Sequence, residues 1–158
     1  MPGRLEKVVI GVLVLHVAFQ MLMPFRHLLY PGDVAWTEEG HRFAWRMKLR
    51  DKAHTDTYIA FIPSTKAMWT LEPRDYIAKW QLDEMDGRPD MILQLAKLMA
   101  TRLREQGYQD AEVYVRSLTA LNGRPRRDLI DTTVNLASKE RSIWPADWLL
   151  PLDVPLKR

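Results

Sequence analysis

The pattern of hydrophobic and polar positions changes abruptly after the first quarter of the chain. Residues 8–25 read VVIGVLVLHVAFQMLMPF, eighteen positions without a formal charge. At about 1.5 Å per residue, a helix of this length spans roughly 27 Å, close to the hydrocarbon thickness of a bilayer. Residues 8–15 are apolar on every side, which is typical of a membrane span. We therefore predict a transmembrane anchor over residues 1–30 and an extramembrane domain over residues 31–158.

A secretory signal peptide and a buried helix of a soluble protein are the alternatives to this anchor. A signal peptide has a shorter apolar run and small residues at its cleavage site, and Phe19, Gln20 and Met21 do not supply them. Basic residues flank both ends of the run, so charge hardly decides its orientation. We predict a single-pass membrane protein whose C-terminal domain lies on the periplasmic or luminal side.

The polar and aromatic residues of the first segment predict its contacts. His16 and Gln20 are four residues apart, on one helix face and near mid-membrane depth. Polar groups at that depth usually face protein, so we expect both residues to contact other membrane protein subunits. Ligation of a haem or pigment by His16 is the alternative. Phe25, Tyr30 and Trp36 are expected at the interface between lipid and water.

The rest of the chain predicts an α+β domain, mainly antiparallel β and sandwich-like, with one packed helix. Residues 42–50 alternate between apolar and mostly basic side chains, which indicates a half-buried strand. Residues 57–62 and 66–71 form the arms of a predicted hairpin. Residues 111–121 predict another strand, which turns at Asn122-Gly123 and pairs with residues 129–136. Residues 90–106 predict an amphipathic helix that Gly107 ends.

The end of the chain is rich in tryptophan and proline. Prolines interrupt residues 143–156 and prevent a regular central strand there. We predict an irregular strap that folds back over the start of the domain, close to the exit of the helix. Trp36 and Trp148 should then be buried, because large aromatic rings favour either a core or a boundary with headgroups.

The composition excludes several kinds of chemistry. The chain has no cysteine, so disulfides, thiolate metal sites and cysteine nucleophiles are absent. A net charge of +3 without a clustered basic face gives no reason to expect nucleic-acid binding. Glu38 and Glu39 are adjacent and are expected as exposed loop carboxylates. We predict no catalytic, metal or cofactor site. No serine lies in the G-x-S-x-G motif of a nucleophile, and the candidate metal ligands lack the spacing of a zinc site. These candidates are His41, Asp51, His54 and Asp56.

Four stretches of the sequence resemble the vitamin K-dependent γ-carboxylase family. They are residues 20–49 (QMLMPFRHLLYPGDVAWTEEGHRFAWRMKL), 88–99 (RPDMILQLAKLM), 113–131 (VYVRSLTALNGRPRRDLID) and 142–152 (SIWPADWLLPL). In that family the last membrane helix leads into a luminal or periplasmic domain through such a segment. The resemblance implies a β-sandwich-like domain held against the membrane.

The resemblance also implies what this chain lacks. Family members carry a multi-helix membrane domain before this region, which binds reduced quinone and supplies a lysine base. This chain starts at what corresponds to the final helix, and Lys7, the only lysine before the domain, matches no family position. We therefore do not expect the polypeptide alone to carboxylate glutamate.

Three functions follow as expectations. The first is a non-catalytic accessory or scaffold subunit of a larger membrane complex, for example of respiratory or photosynthetic type. The alternative is one half of a split carboxylase, which needs a separate multi-helix catalytic chain. The third is a module that binds acidic peptides on the basic face of the strand over residues 42–50: Arg42, Arg46, Lys48 and Arg50.

Overall fold

The computed structural model describes residues 3–46, 51–85 and 87–153. Helix α1 (Arg4–Leu22) continues directly as a 3-10 helix, Met23–Leu29. Pro24 lies in the first turn of the 3-10 helix, where its missing N–H is best tolerated. Every residue of α1 is exposed, and within the described ranges Arg4–Leu29 is the one helix long and apolar enough to cross a membrane. The helix predicted over residues 8–25 is confirmed.

A short buried helix, α2 (Val34–Thr37), follows the helix exit. The Asp33 side chain caps it by accepting a 2.8 Å hydrogen bond from the Ala35 amide. The strand predicted over residues 42–50 is wrong for residues 42–46, and residues 47–50 lie outside the described part. Phe43 has a φ of 67°, and its side chain and that of Trp45 are 71% and 79% exposed. The alternation therefore does not mark a buried face.

The domain contains one antiparallel sheet with the order β2-β1-β3-β4 among the residues described. Its strands are β1 (Lys52–Ile62), β2 (Ala67–Leu71), β3 (Glu112–Leu121) and β4 (Arg127–Asp128). The predicted hairpin is confirmed as the β1–β2 pair, and the strand predicted over residues 111–121 is confirmed as β3. β1 and β3 pair along almost their full length and form the centre of the sheet.

The strand predicted over residues 129–136 is mostly wrong. Only β4, just before this range, pairs with β3. Ile130 instead forms a bridge with Leu149 of the strap, and the Asp131 side chain then accepts a 2.9 Å bond from the Thr133 amide, which turns the chain. A short 3-10 helix, Leu136–Ser138, completes the segment.

Two further helices complete the domain, α3 (Lys79–Met85) and α4 (Pro89–Glu105). Pro89 opens α4 at the position that needs no N–H donor, and Gly107, at a φ of 103°, allows the Tyr108 amide to bond to the Leu103 carbonyl. The buried residues of α4 recur at helical spacing and pack in the core with β3: Ile92, Ala96, Met99 and Leu103. The α+β class is confirmed, and the layer packed on the sheet is α4 rather than a second sheet.

Candidate functional site at the helix exit

A groove of about 700 Å³ opens where the first helix enters the domain, and we call it the exit groove. It lies between the 3-10 helix, the turn after α2, the start of α4 and the strap. Residues from all four segments line it, including Arg26, Tyr30, Glu39, Phe43, Asp90 and Trp144. The groove is thus assembled by tertiary contacts between segments that are far apart in the sequence.

Gly40 keeps the turn after α2 in close contact with the helix exit. Its φ is 66°, and a Cβ at this position would lie 2.6 Å from the Cα of His27 and 2.8 Å from the ring of Tyr30. Any larger residue would therefore clash with the helix exit as well as strain the backbone. The first helix and the domain meet here without an intervening flexible linker.

The strap closes the groove, and hydrogen bonds attach it to the start of the domain. The Tyr30 hydroxyl donates to the Ile143 carbonyl (2.6 Å), and the Ala146 amide donates to Glu39 Oε1 (2.7 Å). The Trp36 indole N–H donates to the Leu150 carbonyl at 2.7 Å. Trp36 and Trp148 are only 1% and 5% exposed. The prediction that the tail folds back over the start of the domain and buries both rings is confirmed.

A buried lysine joins three segments beneath the groove. Lys52 Nζ donates to the Trp36 carbonyl (2.6 Å), Glu38 Oε1 (3.0 Å) and the Gly87 carbonyl (3.3 Å), and its side chain is 2% exposed. A buried ammonium requires this kind of compensation, because desolvation strongly disfavours an unpaired charge. The prediction of exposed loop carboxylates is wrong: Glu38 pairs with a buried cation, and Glu39 is half-buried against the strap.

The environment of Glu39 changes its titration. Burial raises the pKa of this carboxyl above its usual value, and the hydrogen bond from the Ala146 amide opposes the change in part. The carboxylate form is therefore less favourable in the folded domain than in the unfolded chain.

The charges around the groove mostly pair with each other. Arg42 Nη2 lies 2.6 Å from Asp90 Oδ2, and Lys139 Nζ lies 2.6 Å from Asp147 Oδ2. Arg26 Nε is buried and has no hydrogen-bond partner among the described residues. The basic strand face predicted to bind acidic peptides is not formed at Arg42 and Arg46, because residues 42–46 are not a strand; Lys48 and Arg50 lie outside the described residues.

A second polar cluster lies on the inner face of the sheet. His54 Nδ1 and Asp56 Oδ2 are 3.1 Å apart, and Ser117 and Thr119 face them from β3. The ring of Tyr58 is fully buried, and burial together with the charge of Asp56 raises its pKa well above the usual value. Within the described ranges, the Tyr58 hydroxyl and Asp56 Oδ1 have no hydrogen-bond partner. Ser117 and Thr119 are fully buried as well, so we assign the cluster to the core.

The residues predicted to contact partners and lipid are distributed as follows. His16 Nε2 and Gln20 Nε2 lie 2.8 Å apart on the exposed surface of α1. Phe25 is exposed and Tyr30 is half-exposed beside the strap, and their contact with lipid stays a prediction. Trp36 does not fit that prediction, because its ring packs in the core, where lipid cannot reach it. Among the described residues, no group of three potential metal ligands converges: Asp51 is exposed, and His41 lies in the wall of the exit groove, apart from the His54–Asp56 pair.

The fold and the exit groove define a class: an α+β domain packed against the end of an apolar helix that is long enough to cross a membrane. The family model of the vitamin K-dependent gamma-carboxylase lumenal domain matches residues 5–154 of the sequence. The chain therefore belongs to this family through its lumenal domain, and the family and the helix together indicate association with a membrane. No solved structure matches the chain.

Proposed function

We propose that this chain is a non-catalytic, single-pass accessory subunit of a larger membrane complex, with its domain on the periplasmic or luminal side. The observation that carries the proposal is the exposure of α1 on every side, next to a domain that packs against its end. A lone apolar helix of this kind finds its neighbours in lipid and in other chains. The domain then offers partners the exit groove and its surroundings.

The polar pair on α1 supports a partner helix. The contact between His16 and Gln20 uses one atom of the Gln20 amide, which also has a carbonyl acceptor and a further N–H donor. In hydrocarbon these groups are costly unless another helix bonds to them, and such a bond contributes about 0.6–2 kcal/mol. The pair therefore identifies the face of α1 that a partner helix should cover.

Purification in mild detergent tests the proposal. We expect the wild-type chain to co-purify with stoichiometric partners, and the double variant His16→Leu/Gln20→Leu to lose most of them. The matched control is Val14→Leu/Ala18→Leu, which has the same spacing on the opposite face of α1. A monodisperse wild-type monomer without any co-purifying chain would refute the proposal, as would equal recovery from both double variants.

The proposed orientation has its own experiment. Because the chain has no cysteine, the variant Met68→Cys carries a single thiol on the exposed part of β2. A maleimide that cannot cross membranes should label this thiol in intact cells after the outer permeability barrier is opened. Labelling only after lysis would place the domain on the other side.

The second candidate function is one half of a split carboxylase. The match to the family extends from within α1 through the exit groove to the strap, so the surface next to the membrane is included in it. A separately encoded multi-helix chain would then supply the quinone site and the base. Both candidates predict a partner, but only this one predicts that the two chains together, with reduced quinone, carboxylate glutamate. Absence of product from the co-purified pair would favour the accessory subunit.

A further inference from the structure

Two neighbouring side chains of the strap, at the rim of the exit groove, are exposed to solvent. Ile143 and Trp144 are 77% and 74% exposed, although Trp148 in the same strap is buried. A single exposed apolar residue needs no explanation, but adjacent large ones mark a contact surface when they lie near others. Phe25, Leu28 and Leu29 at the end of the first helix are also exposed.

The position of these two residues relative to the helix is fixed by a hydrogen bond. Tyr30 directly follows the apolar helix Arg4–Leu29, and its hydroxyl donates to the Ile143 carbonyl at 2.6 Å. The packing of Gly40 on His27 and Tyr30 holds the same region together. Ile143 therefore lies one tyrosine side chain away from the end of the apolar helix.

We propose that Ile143 and Trp144 form a second membrane contact, which inserts into the lipid headgroup boundary beside the helix exit. The inference rests on the proposed membrane-spanning role of α1 and goes beyond it. Tryptophan favours this boundary because its ring is apolar and its N–H can bond to headgroups or water. Arg141, two residues before Ile143, lies 4.0 Å from Asp90 Oδ2 with its side chain 59% exposed, so the remaining donors of its guanidinium can reach lipid phosphates.

The occupant is lipid rather than a protein because the two residues lie beside the end of the apolar helix. Phe25, Leu28 and Leu29 are exposed at that end, and Tyr30, which directly follows Leu29, bonds to Ile143. A helix alone leaves the tilt of the domain undefined, whereas a second point of insertion fixes it. The contact would hold the exit groove at a constant height above the bilayer.

Spin labelling of the full chain in nanodiscs, with one chain per disc, tests this contact. The absence of native cysteine allows a single nitroxide at Ile143→Cys, which leaves Trp144 intact. Collision with oxygen and with a water-soluble nickel chelate gives the depth of the label. We expect it about 5–10 Å below the lipid phosphates, the depth of interfacial side chains.

Two further labels and two tryptophan substitutions make the outcomes distinct. Leu13→Cys reports whether α1 lies in hydrocarbon. Met68→Cys should be in water, because Met68 lies at the end of the sheet away from α2. It pairs with Phe61 of β1, which lies about 30 Å along the strand from Lys52, the β1 residue that contacts α2. Adding Trp144→Ser to Ile143→Cys should move the label into water, whereas Trp80→Ser, at an equally exposed tryptophan of α3, should not.

A label at Ile143 that is in water while Leu13 is in hydrocarbon would overturn the inference and leave the membrane-spanning helix intact. A label shielded from both reagents would also overturn it, because protein and not lipid would then cover the strap. A label at Leu13 in water would refute the membrane-spanning helix itself, and the inference with it.

Discussion

The strap contains two tryptophans four residues apart in opposite environments, and this pair allows a matched test of what holds the domain together. Trp148 packs in the core, whereas Trp144 is exposed. The backbone at Trp148 also bonds to the segment after β4, since the Asp131 amide donates to the Trp148 carbonyl at 2.9 Å. We predict that Trp148→Ala strongly destabilises the domain and that Trp144→Ala does not.

The magnitude follows from the burial of the two rings. Replacement of a buried tryptophan by alanine removes its transfer free energy and leaves a cavity, which together cost about 3–5 kcal/mol. An exposed side chain that does not pack within the domain changes stability by less than about 0.5 kcal/mol. The proposed lipid contact of Trp144 does not alter this expectation, because α1 keeps the unfolded domain at the membrane, where the same contact can form. Since domains are stabilised by about 5–15 kcal/mol in all, the first substitution should remove a large part of the total.

Urea denaturation of the full chain in nanodiscs measures the difference. Circular dichroism and hydrogen exchange of the β3 amides should both report the transition, since α1 is held by lipid and should stay helical. We expect the midpoint to fall clearly for Trp148→Ala and to stay near the wild-type value for Trp144→Ala. Equal midpoints for the two variants would show that the strap does not contribute to the core.

Three further predictions concern the polar groups of the domain. Lys52→Met should cost about 3–5 kcal/mol in urea denaturation, because it removes one partner of a buried ion pair, and adding Glu38→Gln, which removes the opposite charge, should recover part of the loss. An unchanged midpoint would contradict this. Because the pKa of Glu39 is raised in the folded domain, the stability contributed by its neutral carboxyl is complete below the unfolded pKa and is lost as pH rises through the folded pKa. The stability of Glu39→Gln relative to the wild type should therefore increase between about pH 4 and 7. A decrease over this range would contradict the sign. Tyr58→Phe should stabilise the domain by about 1 kcal/mol because it removes a buried hydroxyl without a described partner; a loss of similar size would instead indicate an ordered water bonded to it.

The sequence predicted the elements whose signals are local. The hairpin of β1 and β2, the long strand β3 and helix α4 each combine a clear periodicity with turn or capping residues at the ends. The buried face of α4 includes Leu95 and Leu103 as well as Ile92 and Met99, whereas the apolar residues Met91 and Leu98 are only half-buried.

The errors occurred where tertiary contacts overrode a local pattern. Phe43 and Trp45 alternate with basic residues as a strand would, but the left-handed conformation of Phe43 and the turn beside Gly40 direct the chain along the groove instead. Residues 129–136 contain the apolar side chains of a strand, yet Ile130 pairs with Leu149 from the strap. The contacts that decide both segments, those of Gly40 with His27 and of Ile130 with Leu149, join residues that are distant in the sequence.

The candidate site was predictable in its place but not in its chemistry. The aromatic and proline-rich tail indicated a strap at the helix exit, because large rings and interrupted backbone fit no regular strand. The role of Lys52 could not be predicted, since its three acceptors come from residues 36, 38 and 87. The difference between the exposed Trp144 and the buried Trp148 could not be predicted from the sequence either, because an irregular segment has no periodicity that assigns its residues to a buried or an exposed face.

The packing of the domain against the helix end links the two proposals. Within ten residues of Tyr30 the chain is held by the cap at Asp33, the buried ring of Trp36 and the contact of Gly40 with His27. We therefore expect a partner that orients α1 to orient the exit groove as well. Insertion of Ile143 and Trp144 into the headgroup boundary would restrict the same rotation from the other side of the groove. One orientation of the domain would then be defined by two contacts, the α1 face with His16 and Gln20 and the strap. A subunit that holds a binding surface at a fixed place on the membrane requires such a defined orientation.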